Sequence, residues 1–374
     1  MEYKRLGDYI REVNVRNREL KVTKLVGLTI DKAFIPSVAN VIGTDLSNYK
    51  VIRREQFACS LMQVSRDGKM PVAMFEEDEA IMSPAYPMFE VIDKTALLPQ
   101  YLMMWFSRSE YDREASYYAV GGVRGSLTWE DFCNMTLPVS SIYRQLEIVE
   151  EYETLSRRIS LNEQMIQHLE ATAQTLYRKM FVDGIDKENL PDGWRMGTLT
   201  EIATYLNGIA CQKYETQDDN YLPVLKIREL SQGHCDNSSD HVGITIPKEY
   251  IINSGDVVFS WSATLFIDIW SGGKCALNQH LFKVFSDNYP KWFYFIWTQN
   301  HIAEWKRLIS AKATSMGHIK REDLESAQVI IPSSNSLKDM DMQMSPIFDM
   351  YILKKQENLK LTKLQSLLLA KMGQ

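Results

Sequence analysis

The 374-residue chain has no run of about eighteen apolar residues, and no basic start leads into an apolar stretch, so neither a membrane anchor nor a secretory leader is expected. Its five cysteines, Cys59, Cys133, Cys211, Cys235 and Cys275, are odd in number and form no C-x-x-C pair. That argues against a disulfide framework and a zinc site, and for a reducing cytoplasm. A G-x-x-x-x-G-K-[ST] phosphate loop is missing, as is an N-P-P-Y or D-P-P-Y loop to hold a flipped adenine. The histidines, His168, His234, His241, His280, His301 and His318, lack metal-ligand spacing. The E-x-K triplets at Glu19 to Lys21 and Glu304 to Lys306 are too short to define a nuclease centre. No cofactor or metal is therefore expected. A basic excess is also absent: 42 Lys and Arg against 48 Asp and Glu leave a net charge of −6, which argues against gripping nucleic acid by bulk electrostatics alone. A local basic face stays open, as does a role beside partners that carry most phosphate contacts.

What is present begins with Ile142 to Phe181, a stretch without glycine or proline. Apolar or nearly apolar positions recur at Leu155, Ile159, Asn162, Ile166, Leu169, Ala173, Leu176 and Met180, alternating steps of four and three as a coiled-coil seam requires. Such a helix wants a partner. Moving each seam position on by 192 gives Ile347, Tyr351, Lys354, Asn358, Leu361, Gln365, Leu368 and Met372, apolar at both ends and polar in the middle. The same offset relates Gly125 to Phe132 with Gly317 to Leu324, and each stretch leads through a short apolar strand to Pro138 or Pro332. Leu6 and Asp8 correspond to Leu199 and Glu201, and Phe89-Glu90-Val91 to Phe282-Lys283-Val284, at an offset of 193. The chain therefore reads as an internal repeat.

The expected architecture is a mixed α/β (α+β) fold: residues 1–141 and 184–335 as two globular domains, 142–183 and 336–374 as two long helical spacers. The second helix buries its seam by running back along the first, giving an antiparallel intramolecular coiled coil with a pseudo-two-fold axis. At about 1.5 Å per residue, about forty residues separate two heads by up to about 60 Å.

In the first head, Leu25 to Ile30, Lys50 to Met62 and Val72 to Phe75 read as strands, with a turn at Asp67-Gly68-Lys69. Tyr101 to Tyr111 reads as one buried helix, and Thr128 caps a helix with an acidic first turn. Tyr117 and Tyr118 suit the core slightly better than a stacking surface. In the second head Val224 to Ile227 and Gly255 to Trp261 read as strands. Ala276 to Val284 reads as one more, its alternation putting Asn278 and His280 on one face. Trp292 to Ile309 reads as a core helix.

These residues resemble the DNA-specificity subunit of type I restriction–modification systems. The resemblance rests on Gly255-Asp256-Val257-Val258-Phe259-Ser260, then Ala276-Leu277-Asn278-Gln279-His280-Leu281, and on the loop-to-helix entries Gly121 to Pro138 and Lys312 to Pro332. It covers essentially the whole chain. It implies two target recognition domains, each reading one half of a bipartite site in double-stranded DNA, with the helices setting the spacing. It also implies that the chain does no chemistry, and that two methyltransferase subunits dock along the helices and restriction (motor-nuclease) subunits join them. Methyl donor and ATP bind those partners. Two other readings stay open on the residues alone: a standalone nuclease using acidic residues and Mg²⁺, and a scaffold whose two heads bind proteins.

Base edges and phosphates are met by Arg, Lys, Asn, Gln and small hydroxyls. The expected DNA-binding residues are Arg66 and Lys69 beside the Asp67-Gly68 turn, and Arg124 and Ser126 in the glycine-rich loop. In the second head they are Lys274, Lys312, Thr314, Ser315, His318 and Lys320. Asn278, Gln279 and His280 are explained equally well as a strand with structural hydrogen bonds. Asn162 on the seam is expected to fix pairing at some cost in stability, so that Asn162→Leu raises it.

Overall fold

The computed structural model of the protein describes residues 3–38, 43–62, 64–120, 126–216, 219–311 and 319–373. Two compact units emerge, one from residues 1–157 with 362–374, the other from 158–361.

Unit one closes on itself by pairing its first strand with its last. Tyr3–Arg5 runs antiparallel to Thr136–Pro138, with Tyr3 opposite Pro138 and Arg5 opposite Thr136. Inside this closure lies an antiparallel sheet in the order Ile10–Glu12, Met88–Val91, Phe57–Cys59, Val72–Met74. Phe57 and Phe89 stand opposite each other in it and stack at 5.0 Å. Phe106, Phe132 and Tyr111 pack with them, all fully buried; burial of one such side chain contributes roughly 1.5–3 kcal/mol.

Two local expectations change here. The stretch read as one helix is two, Pro99–Phe106 and Ser109–Ala119. Ser107 Oγ turns back to donate to Met103 O at 2.9 Å, and the buried Arg108 lies 4.1 Å over the Trp105 ring, so the chain is held in a bend between them. The stretch Lys50 to Met62 is two strands, Lys50–Arg53 and Phe57–Cys59, followed by a helical turn at Val64–Asp67, and Gly68 reverses the chain at φ +63°. The cap at Thr128 is present as a reciprocal box: Asp131 N donates to Thr128 Oγ1 at 3.0 Å and Thr128 N to Asp131 Oδ2 at 3.3 Å.

Unit two repeats this plan. Arg195–Thr198 pairs antiparallel with Gln328–Ile331, Met196 opposite Ile330 and Thr198 opposite Gln328, the register of unit one carried forward along the chain. Its antiparallel sheet has the matching order Thr204–Asn207, Leu281–Phe285, Val257–Ser260, Phe266–Ile269. A second sheet adds His241–Gly243, Tyr221–Leu225, Cys275–Leu277 and Ile251–Ile252, its middle pair parallel. Ala276 to Val284 is therefore not one strand. Cys275–Leu277 belongs to one sheet and Leu281–Phe285 to the other, and the intervening turn buries Asn278 while leaving His280 exposed. Helix Lys291–Ala311 backs the first sheet with the buried Trp292, Phe293, Ile296 and Trp297.

The long helices are Ile142–Phe181 and Ser334–Lys371. Within unit one, Gln365 Nε2 donates to Ser156 Oγ at 2.7 Å, and Leu368, Leu369 and Met372 pack with Ile148, Val149 and Tyr152. Within unit two, Asn162 Nδ2 donates to Asn358 Oδ1 at 2.8 Å, Arg158 pairs with Glu357 at 2.7 Å, and Leu169 and Ala173 meet Phe348 and Tyr351. Rising numbers on one helix meet falling numbers on the other, so the pair is an antiparallel coiled coil. Arg158 and Lys354 hold the Glu357 carboxyl down at about 2. Pro346 lies inside the second helix on its exposed side, where water can take the carbonyl that a proline leaves unbonded. Among the described residues no helix is long and apolar enough to cross a membrane.

Candidate nucleic-acid interface

A cleft of about 770 Å³ opens in unit two, lined by Tyr205, Asn207, Tyr250, Trp261, Lys320 and Arg321 among others. Its floor is aromatic because strand Thr204–Asn207 pairs with Leu281–Phe285, which brings Tyr205 and Phe282 within 6.1 Å. Trp261 follows strand Val257–Ser260 and lies 5.8 Å from Phe282 and 6.0 Å from His280. The Tyr205 hydroxyl is tied inward to Thr298 Oγ1 at 2.6 Å, and burial pushes its pKa well up, so this ring is structural at the cleft. Trp261 Nε1 donates to Asn207 Oδ1 at 3.1 Å.

The rim is basic. Ile319 N donates to Trp261 O at 3.1 Å and anchors the entry to helix Arg321–Ser326, whose cap is Lys320; Lys320 N in turn donates to Asp323 Oδ2 at 2.7 Å. Arg321 is exposed and meets Glu325 at 3.1 Å. The cleft thus combines ring faces, an amide and two cations, a set that fits a nucleic acid's bases and phosphates. Among the described residues no group of three or more His, Cys, Asp and Glu is placed to hold a metal ion. Unit one has the same junction: Leu127 N donates to Leu61 O at 2.9 Å just before the Thr128 cap, and Trp129 lies 5.9 Å from Phe89.

Residues 191–367 match the family model of the type I restriction modification DNA specificity domain. The type I restriction enzyme MjaIX specificity subunit of Methanocaldococcus jannaschii is 24% identical over 306 residues, spanning 75% of this chain and 70% of that protein. The second half of the chain is thus similar to the DNA-specificity domain of type I restriction–modification systems. The fold agrees: the S subunit of a type I restriction–modification system from M. genitalium superposes with a TM-score of 0.59 at 10% identity, covering 100% of this chain and 96% of that one.

The residues chosen from the sequence fall in different places. Lys320 lies on the cleft. Lys274 is exposed ahead of strand Cys275–Leu277, the end opposite to the turn that carries His280 beside Trp261. Arg66 is exposed and doubly bonded to Asp67 at 2.6 and 3.0 Å; Lys69 pairs with Asp31 at 3.0 Å. Ser126 is half-buried beside Leu127. Arg124, Lys312, Thr314, Ser315 and His318, with the glycine-rich loop 121–125, lie outside the described residues. Asn278 is buried and structural: its N donates to Leu225 O at 3.2 Å, and its Oδ1 accepts from His280 N at 3.3 Å.

Tyr117 and Tyr118 are not core residues; they are 78% and 43% exposed and meet edge to face at 6.0 Å. Helix Ser109–Ala119 buries Tyr111, Ala115 and Ala119, so positions 117 and 118 turn outward on it. Sequence reasoning passed over Asn207, Trp261 and Arg321. The signal for the first was the dipeptide Asn207-Gly208 closing an apolar run.

Proposed function

We propose that the chain is a type I restriction–modification DNA-specificity subunit that reads a bipartite site in double-stranded DNA in the cytoplasm, each globular unit taking one half. Residues 1–141 and 184–335 are the two target recognition domains in this reading, and 142–183 and 336–374 the helical spacers that set the gap between half-sites. Two methyltransferase subunits dock along the helices and restriction (motor-nuclease) subunits join them, so that base modification, ATP use and cleavage belong to the partners. Arg66, Lys69, Arg124 and Ser126 contact DNA from the first domain, and Lys274, Lys312, Thr314, Ser315, His318 and Lys320 from the second.

One observation carries this reading: two units with the same strand closure and sheet order, each joined to one antiparallel helix pair. A duplicated reader suits a duplicated target. One turn of DNA is about 34 Å, and a helix of 40 residues spans about 60 Å. The test is co-expression with a methyltransferase subunit from the same locus, followed by single-molecule sequencing of methyladenine in host DNA. A two-part motif with a fixed gap, lost on deletion of this gene, is the expected result. An unchanged methylation pattern after deletion overturns the reading and favours a protein scaffold; DNA cleavage by the purified chain with Mg²⁺ favours a nuclease.

A further inference from the structure

We infer that the strand position facing Phe282 in unit two and Phe89 in unit one is a base-reading position, occupied by Asn207 in one and Glu12 in the other. This rests on the DNA-reading function above. Asn207 closes strand Thr204–Asn207 opposite Phe282, and its side chain is exposed in the cleft. An asparagine amide offers an acceptor on one side and donors on the other, and the side facing outward decides which base edge it fits.

Here the choice is forced. An indole nitrogen carries a hydrogen and no lone pair, so Trp261 Nε1 can only donate, and it donates to Asn207 Oδ1. The oxygen is turned back to the tryptophan, and Nδ2 has no partner among the described residues. Its two hydrogens are what the cleft presents. An unrestrained asparagine matches adenine by accepting from N6 and donating to N7, whereas a donor face fits guanine N7 and O6 or thymine O4.

The mounting is stiff. A Cβ on Gly208 would lie 2.2 Å from Asn278 O, so only glycine lets the chain leave the strand this close to its neighbour. Gly208 N donates to Leu281 O at 2.9 Å, and the Trp261 carbonyl is held by Ile319 N. Trp261 is a positioning residue: it sets which face of Asn207 points outward. Lys320 and Arg321 line the same cleft and supply charge for phosphate contacts.

The repeat provides a comparison within one molecule. Glu12 stands opposite Phe89 as Asn207 stands opposite Phe282, and Glu12 too is exposed. A carboxylate only accepts, and its base-edge match is the cytosine N4 amino group. The two units therefore bring opposite hydrogen-bonding signs to the same place in the fold, and their half-sites differ there.

The experiment uses full-length variants co-expressed with the cognate methyltransferase subunit, with methyladenine mapped genome-wide. Asn207→Ala is expected to make one position of one half-site degenerate and to slow methylation of the original sequence about 10- to 100-fold, leaving the other half intact. Asn207→Asp keeps the bond from Trp261 and shifts preference at that position toward a base presenting an amino group. Glu12→Gln alters a position in the other half-site. Trp261→Phe keeps a ring but frees the amide to turn, so it broadens the Asn207 position while the thermal midpoint stays within a few degrees. An unchanged motif, or an even weakening with no position altered, overturns the assignment; broadening at any other position by Trp261→Phe overturns its positioning role. If the unaltered chain directs no two-part motif, the specificity reading falls, and this inference with it.

Discussion

The two units close alike yet grip the long helices by different chemistry. Unit one uses an uncharged group: the fully buried Gln145 accepts from Leu98 N at 2.9 Å and donates to Ala96 O at 2.9 Å and to Ser140 O at 2.8 Å. Its mate in the repeat is Leu337, which packs apolar against the core of unit two. Unit two uses charge instead. Asp268 on strand Phe266–Ile269 accepts from Lys355 at 2.5 Å and from the Tyr351 hydroxyl at 3.1 Å, and Trp292 Nε1 donates to Asp341 at 2.7 Å. Strand closure is shared because it defines the fold, whereas the contacts between sheet and helix need only bury their polar atoms with partners. An amide does that without a net charge, whereas unit two places an ion pair, Lys355 with Asp268, at the same task.

The largest expected effect is in unit one. Gln145→Leu, which copies the residue of the other unit, leaves three backbone groups without their partner and should cost about 3 kcal/mol. Hydrogen-exchange protection of helix Pro99–Phe106 then falls about 100-fold while that of Lys291–Ala311 is unchanged. A loss under about tenfold breaks the contrast.

Next comes the seam. The sequence alone led us to expect that Asn162→Leu would stabilise, but Asn162 is 2% exposed and bonded to Asn358, so leucine strands the partner amide. The single change should cost about 2 kcal/mol, and Asn162→Leu with Asn358→Leu should recover it or better, read as urea midpoints. A stabilised single variant restores the simpler view.

The smallest effect concerns pH. Burial raises the Glu170 carboxyl, with Tyr351 and Lys355 opposing and Asp268 assisting. A raised carboxylate stabilises the fold below the ordinary value, about 4.3, and that contribution is lost as pH rises through the folded value. Glu170→Gln should remove this decline, a change under about 1 kcal/mol because the group is only partly buried. Urea midpoints of both proteins between pH 4 and 8 that run parallel would show Glu170 is not the titrating group.

Much of this arrangement is legible in the residues. The four-and-three spacing from Leu155 to Met180 announces a paired helix, and the offset of 192 announces that its mate is in the same chain. Which residues touch is a different matter. The offset aligns Asn162 with Lys354, its equivalent in the repeat, but an antiparallel partner runs the numbers backward, and the contact is Asn358. The split of Ala276 to Val284 was hidden for a similar reason: alternation reports a pleat, not which sheet each pair of residues joins. The cleft was least legible, since Asn207, Trp261 and Lys320 lie far apart in sequence and meet only through strand pairing and the turn at Gly208.

The antiparallel pairing also sets a timetable for synthesis. The first long helix ends at Phe181 and its mate begins at Ser334. At about 5–20 residues per second, a ribosome needs roughly 8–30 s to cover that interval. For that time the nascent seam lacks its mate, and on a crowded message the nearest complementary stripe belongs to the chain ahead. The Asn162–Asn358 bond fixes the register of whichever pairing forms, since a slipped seam that leaves either amide against an apolar residue gives up a hydrogen bond that the aligned one keeps.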